Sequence, residues 1–129
     1  MKLAEICDTL DARVIVGTDD QLQIDIKTAF GADLMSDVLA FARPGCLLIT
    51  GLVTPQCVRT AYALDIVAII FCRGKVPLDQ SIEIAKELGI PLLSTKYIMF
   101  ETCGRLFQKG VSGCIQEVCA RNSACESSE

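Results

Sequence analysis

The chain contains no histidine and no tryptophan. Without imidazole it cannot assemble Ser–His or Cys–His nucleophile pairs, an HExxH metal site, or a general base whose unperturbed pKa lies near neutrality. Most common hydrolase mechanisms are thereby excluded, and no catalytic residue, metal or cofactor is expected. Neither a G-x-x-x-x-G-K-[ST] nor a G-x-G-x-x-G phosphate loop occurs. No apolar run approaches the roughly 20 residues of a membrane span; the longest, Ile66 to Cys72, is the size of a strand. The opening Met1-Lys2-Leu3-Ala4-Glu5 leads into an acidic amphipathic stretch rather than a basic region followed by an apolar one. No signal peptide is read there, and a soluble cytoplasmic protein is expected.

What is present describes one compact domain. Of 129 residues, 51% are apolar and 22% charged, enough to build a core and too apolar for disorder. The net charge of −4 is unevenly distributed. Residues 1–42 carry three basic and eight acidic side chains, residues 43–113 eight and five, and residues 114–129 one and three. An acidic chain with five Phe and two Tyr is a poor binder of a nucleic-acid backbone, which requires clustered Lys and Arg. The basic middle suits a small anionic ligand better.

Eight cysteines suggest a disulfide scaffold, but five of them, Cys7, Cys46, Cys57, Cys72 and Cys103, sit inside apolar helical or strand patterns. There a free thiol acts as a small buried hydrophobe. Cys114, Cys119 and Cys125 form a C-x4-C-x5-C array in a polar tail. Structural zinc favours C-x2-C pairs and four ligands, so a metal would need a ligand from elsewhere. An oxidisable flexible tail is expected over residues 112–129, with a redox or metal/iron–sulfur role as an alternative reading.

Leu3, Ile6, Cys7 and Leu10 have helical spacing and predict a first helix over about 2–9. Arg13 to Gly17 reads as a strand, and the alternation of Leu22, Ile24 and Ile26 with polar residues predicts a half-exposed second strand over 22–27, paired with the first at a sheet edge. Asp33 is placed as the cap of a helix ending at Arg43-Pro44-Gly45. Thereafter buried strands at 46–50, 66–71 and 91–94 alternate with helices opening at Thr54-Pro55, near Asp79, and near Tyr97. Strands without internal alternation, joined by helices, predict a three-layer α/β/α sandwich with a mostly parallel sheet of about five strands, spanning residues 1–111.

In such a sheet ligands lie beyond the C-terminal ends of the strands, which directs attention to three strand-to-helix corners. They hold Thr50, Gly51 and Thr54, with Arg59 one turn onward; then Arg73, Gly74 and Lys75; then Ser94, Thr95 and Lys96. Small and hydroxyl residues expose backbone N–H groups, helix starts add partial positive charge, and cations stand beside two of the corners. These ten residues are the candidate anion site. The competing reading makes the glycines tight turns, the hydroxyls caps and the cations solvated. Asp33, Asp37 and Asp65 read as capping or surface carboxylates, and Tyr97 and Phe100 as aromatics packed against the sheet edge.

The segments Ala32-Asp33-Leu34-Met35-Ser36-Asp37-Val38-Leu39-Ala40, Leu48-Ile49-Thr50-Gly51, Gly89-Ile90-Pro91-Leu92-Leu93-Ser94-Thr95 and Phe100-Glu101-Thr102-Cys103-Gly104-Arg105-Leu106 resemble stand-alone DRTGG-domain proteins. The fold of that family is similar to the N-terminal domain of HPr kinase/phosphorylase. The resemblance implies a small α/β domain that pairs with itself and serves as a regulatory or accessory module without catalytic residues. It implies no kinase activity, because that activity belongs to a separate phosphate-binding domain. The motif naming the family places Asp-Arg after the strand ending at Thr50 and Thr-Gly-Gly after the strand ending at Phe71; here the first reads Gly51-Leu52-Val53-Thr54, without the Asp-Arg pair, and the second Cys72-Arg73-Gly74, where an arginine replaces a glycine. The reading is a homodimerising regulatory module sensing a small anionic metabolite or nucleotide, with a protein-binding adaptor as a further alternative.

Overall fold

A computed structural model describes residues 1–119. Among these, five helices, α1 (Leu3–Thr9), α2 (Met35–Phe41), α3 (Pro55–Ala63), α4 (Asp79–Leu88) and α5 (Met99–Gln108), surround six strands. The strands are β1 (Arg13–Val16), β2 (Thr28–Gly31), β3 (Leu47–Thr50), β4 (Ala68–Phe71), β5 (Leu92–Ser94) and β6 (Ser112–Gly113). They form one sheet in the order β1-β5-β4-β3-β2-β6. Only β1 runs antiparallel, against β5; the other pairings are parallel.

Every residue of β3, β4 and β5 is buried, as the continuous apolar runs require of strands covered on both faces. Their side chains alternate between two cores. Leu48, Ile69, Phe71 and Leu92 join residues of α2, α3 and α4, including Val38, Val58, Ala61 and Ala85. Leu47, Ile49, Ala68, Ile70 and Leu93 join Leu3, Ile6 and Leu106 from α1 and α5 on the opposite face. The result is the α/β/α sandwich expected, with six strands rather than about five. Pro55 opens α3 at its first turn, where its missing N–H is harmless, and Gly89 ends α4 at φ +73°, a conformation that favours glycine.

The expected strand over 22–27 does not form. Thr18 and Gln21 cap one another, the Thr18 N–H donating to Gln21 Oε1 at 2.8 Å and the Gln21 N–H to Thr18 Oγ1 at 3.2 Å. This reciprocal pair winds Gln21–Gln23 into a 3-10 turn. Leu22, Ile24 and Ile26 still face the core beneath α1, so their alternation reports packing rather than a sheet ladder. The segment meets the sheet-like partner it has at one bridge, Lys2 to Asp25. The ladder begins later, at β2, which pairs with β3. The expected hairpin at one edge is therefore absent: β1 forms one edge and β2 lies next to the other. Asp33 is not a helix cap; Leu34 holds that position without a side-chain bond. The sheet also continues past residue 111, since β6 pairs with β2 and Cys114 packs against the α2–α3–α4 core. Cys125 lies outside the described residues.

The buried thiols bind the fold to pH. Burial raises Cys57 from its ordinary 9.0 to about 12; burial first, then the neighbouring Cys114 thiol, raises Cys46 to about 11. Above pH 9 the unfolded chain releases these protons while the fold retains them, so stability is full below that pH and declines as it rises toward 11–12. The fall should approach about 1.4 kcal/mol per pH unit per thiol. Urea midpoints at pH 8, 9 and 10 should drop progressively, and Cys57→Ala should flatten that trend. Phe71→Ala, which empties the fully buried ring position at the sheet centre, should cost about 3–5 kcal/mol by the same denaturation measurement.

Candidate functional site

Parallel pairing of β2 through β5 brings the corners that follow them to one end of the sheet. Antiparallel β1 contributes its beginning there, because Arg13 lies opposite Ser94. A recess of about 430 Å3 opens at this end, lined by Asp11, Arg13, Gly74, Val76, Ser94, Thr95 and Lys96. Arg13 and Lys96 are exposed side chains on its walls, and exposed Lys75 follows Gly74 in sequence.

The backbone donors expected to greet an anion are largely committed elsewhere. Cys72, Arg73, Gly74 and Lys75 donate their N–H groups to the carbonyls of Thr50, Tyr97, Thr95 and Cys72, at 3.0, 2.7, 2.9 and 3.2 Å. Arg73 and Gly74 both have positive φ, 63° and 69°, the pattern of a type I′ turn. The hydroxyls are spent as well. Ser94 Oγ donates to the Lys75 carbonyl at 2.7 Å, and Thr95 Oγ1 to the Leu10 carbonyl at 2.7 Å, tying the end of α1 to the end of β5. Thr54 caps α3 through its extended backbone, with no side-chain bond. The amide cradle expected at the second corner is thus a closed hydrogen-bond network, and positive charge at this end resides in side chains.

A second cluster lies beside the recess. Thr50, fully buried, accepts the Leu52 N–H at 3.1 Å and donates to Asp33 Oδ1 at 3.4 Å. The same carboxylate oxygen accepts the Gly51 N–H at 2.7 Å, while Asp33 Oδ2 lies 3.9 Å from Arg73 Nη1. The Arg73 guanidinium covers Gly51 so closely that a Cβ there would overlap it. Glycine at 51 is therefore the price of that approach. Arg59 stands exposed on α3, without an ion-pair partner among the described residues, and lines no part of the recess.

Sequence reasoning missed Asp33 and Arg13. Asp33 resembled a helix cap because it precedes the helix by two residues, and Arg13 belongs to the strand whose reversed direction was not legible. The aromatics divide: Tyr97 packs against the α1–α5 core and stacks under the Arg105 guanidinium at 4.1 Å, whereas Phe100 is 82% exposed and does not pack against the sheet edge as expected. The apolar groove of about 230 Å3 between α5 and strands β2 and β6 has no charged side chain in its lining. Among the described residues, no three metal-ligating side chains converge.

Arg73 occupies a left-handed conformation that costs a residue with a Cβ about 1–2 kcal/mol. Arg73→Gly should relieve it, offset by the larger unfolded-state freedom of glycine and by loss of a weak exposed ion pair. The net expectation is a gain of about 0.5–1 kcal/mol in urea denaturation. Thr95→Val should instead lose about 1–3 kcal/mol, since it strands the buried Leu10 carbonyl.

The fold is similar to a solved structure of the CBS and DRTGG domains in the regulatory region of Clostridium perfringens pyrophosphatase, complexed with its activator diadenosine tetraphosphate. The TM-score is 0.69 at 18% identity, covering 98% of this chain and 57% of that one, so this chain spans little more than half the length of its structural relative. The DRTGG domain family model matches residues 5–108. Those residues extend from α1 to the end of α5, and the chain belongs to the DRTGG-domain family.

Proposed function

We propose that this domain is a cytoplasmic, homodimerising regulatory module, without catalysis of its own, that binds a small anion of the nucleotide class at the C-terminal end of its sheet. The observation carrying this reading is the recess of about 430 Å3 walled by Arg13 and Lys96. It lies where an open parallel sheet ordinarily receives ligands. Two basic groups in its lining face one acid, Asp11, and Lys75 adds a third cation nearby. The complex of the pyrophosphatase regulatory region with diadenosine tetraphosphate supports a nucleotide over other anions.

Within this reading the ten residues named from sequence take different parts. Arg73, Lys75 and Lys96 supply charge, joined by Arg13 from outside the ten. Gly74, Ser94 and Thr95 shape the wall, with both hydroxyls serving the fold. Thr50 and Gly51 hold the adjoining corner, Thr54 starts α3, and Arg59 contributes at most a distant field. Because the cations are exposed and flexible, binding should weaken steeply with salt.

Isothermal titration with ATP and with diadenosine tetraphosphate tests the site. The double variant Arg13→Ala/Lys96→Ala should bind at least tenfold more weakly, a loss of about 1.4 kcal/mol. Neither nucleotide binding the unaltered protein, or equal binding by the double variant, would defeat this reading of the recess. Light scattering behind size-exclusion chromatography should return twice the 13.9 kDa chain mass if the module pairs with itself.

A further inference from the structure

We propose that the Asp33 carboxylate is an internal competitor for the anion site: it holds the Arg73 guanidinium away from the recess until a ligand phosphate takes its place. This rests on reading the recess as an anion site, and it assigns that site a regulatory contact.

Asp33 is to the Arg73 guanidinium what a ligand oxyanion would be, an anionic oxygen partner, though it lies outside the recess. Its carboxylate draws on three different donors from two other corners: the Gly51 N–H at 2.7 Å, the Thr50 hydroxyl at 3.4 Å and the Arg73 guanidinium at 3.9 Å. An amide, a hydroxyl and a guanidinium are the groups that receive a phosphate oxygen. Arg73, for its part, belongs to the recess by backbone. It immediately precedes Gly74, which lines the wall, and its N–H is anchored on the Tyr97 carbonyl at 2.7 Å. Yet its side chain lies over Gly51 and beside Asp33, neither of which lines the recess.

The clamp is weak enough to exchange. The two side chains are 47% and 49% exposed and meet at a single long contact rather than in a bidentate fork, so the pair contributes little by itself. A phosphate, with more charge and more acceptor oxygens, offers the guanidinium a better partner. The helix that follows Asp33 is lightly buried. Within the seven residues of α2 only Val38 is buried, and Leu34 and Leu39 stand exposed on either side of it. Ligand entry therefore draws Arg73 toward the recess and frees the corner between β2 and α2, giving the module a movable part that reports occupancy.

ATP titration of six proteins tests this: unaltered chain, Asp33→Asn, Asp33→Ser, Asp37→Asn, Arg73→Gly, and the Asp33→Asn/Arg73→Gly double variant. Asp33→Asn should bind roughly three- to fivefold more tightly, the upper range expected when a weak competing ion pair is removed. Asp37→Asn deletes the same charge four residues onward, on α2, without an ion pair to Arg73, and should stay within about twofold. Arg73→Gly should weaken binding, and adding Asp33→Asn to it should change nothing further, because the competition needs the guanidinium. Asp33→Ser, compared in the same way, guards against a misfolded asparagine variant. Hydrogen exchange of the unaltered chain should rise over residues 32–34 when ATP is added. If ATP binds and Arg73→Gly weakens it while Asp33→Asn binds no more tightly than Asp37→Asn, the competition is refuted and the site stands. Arg73→Gly binding as well as the unaltered chain also refutes the competition, and no binding by any of the proteins refutes site and competition together.

Discussion

The demand that β3, β4 and β5 be covered on both faces governs this molecule. These strands carry apolar side chains at nearly every position, and alternate residues point to opposite sides of a sheet. One helical layer cannot bury them. The chain answers with α2, α3 and α4 against one face and α1 and α5 against the other. Parallel pairing follows, since each crossover through a helix returns the chain to the same end of the sheet. The corners that bear on function are therefore neighbours because of a burial requirement in the middle of the strands.

Those neighbouring corners carry a second obligation. Thr50, Ser94 and Thr95 are buried polar residues, and buried donors and acceptors must find partners. The Thr50 hydroxyl meets Asp33 and the Leu52 N–H, the Ser94 and Thr95 hydroxyls meet the carbonyls of Lys75 and Leu10, and the amides from Cys72 to Lys75 pair with carbonyls of the same corners. Satisfying the fold removes those groups from ligand recognition. In the function proposed, recognition would fall to cationic side chains such as Arg73 and Lys75, whose backbones belong to the closed network. Arg73 embodies both duties: its backbone takes a left-handed turn position where the family motif has glycine, and its charge is held by Asp33.

The same economy explains why Asp33 was misread. A short acid two residues before a helix is usually a cap, and nothing local distinguishes one that reaches another strand. The 18-residue separation from Gly51 becomes a contact through the parallel pairing of β2 with β3, which sets Gly31 opposite Ile49. The strand anticipated over 22–27 fails for a related reason. Alternating burial records which side chains meet the core, whereas a strand needs a neighbour of matching backbone, and the Thr18–Gln21 pair coils the chain before one is reached.

Local pattern by itself determined the helices with clear periodicity, the three buried strands, the α/β/α layering and the location of three corners bearing hydroxyls, glycines and cations. These follow from hydrophobic period and from turn chemistry, which act over a few residues. Tertiary structure alone decided that β1 turns antiparallel and delivers Arg13 to the recess, that the sheet gains a sixth strand, that the corner amides are consumed within the fold, and that Asp33 faces Arg73. Each is a pairing between groups far apart in the chain, and strand order selects such pairs by which surfaces can be buried together, a property no single segment contains.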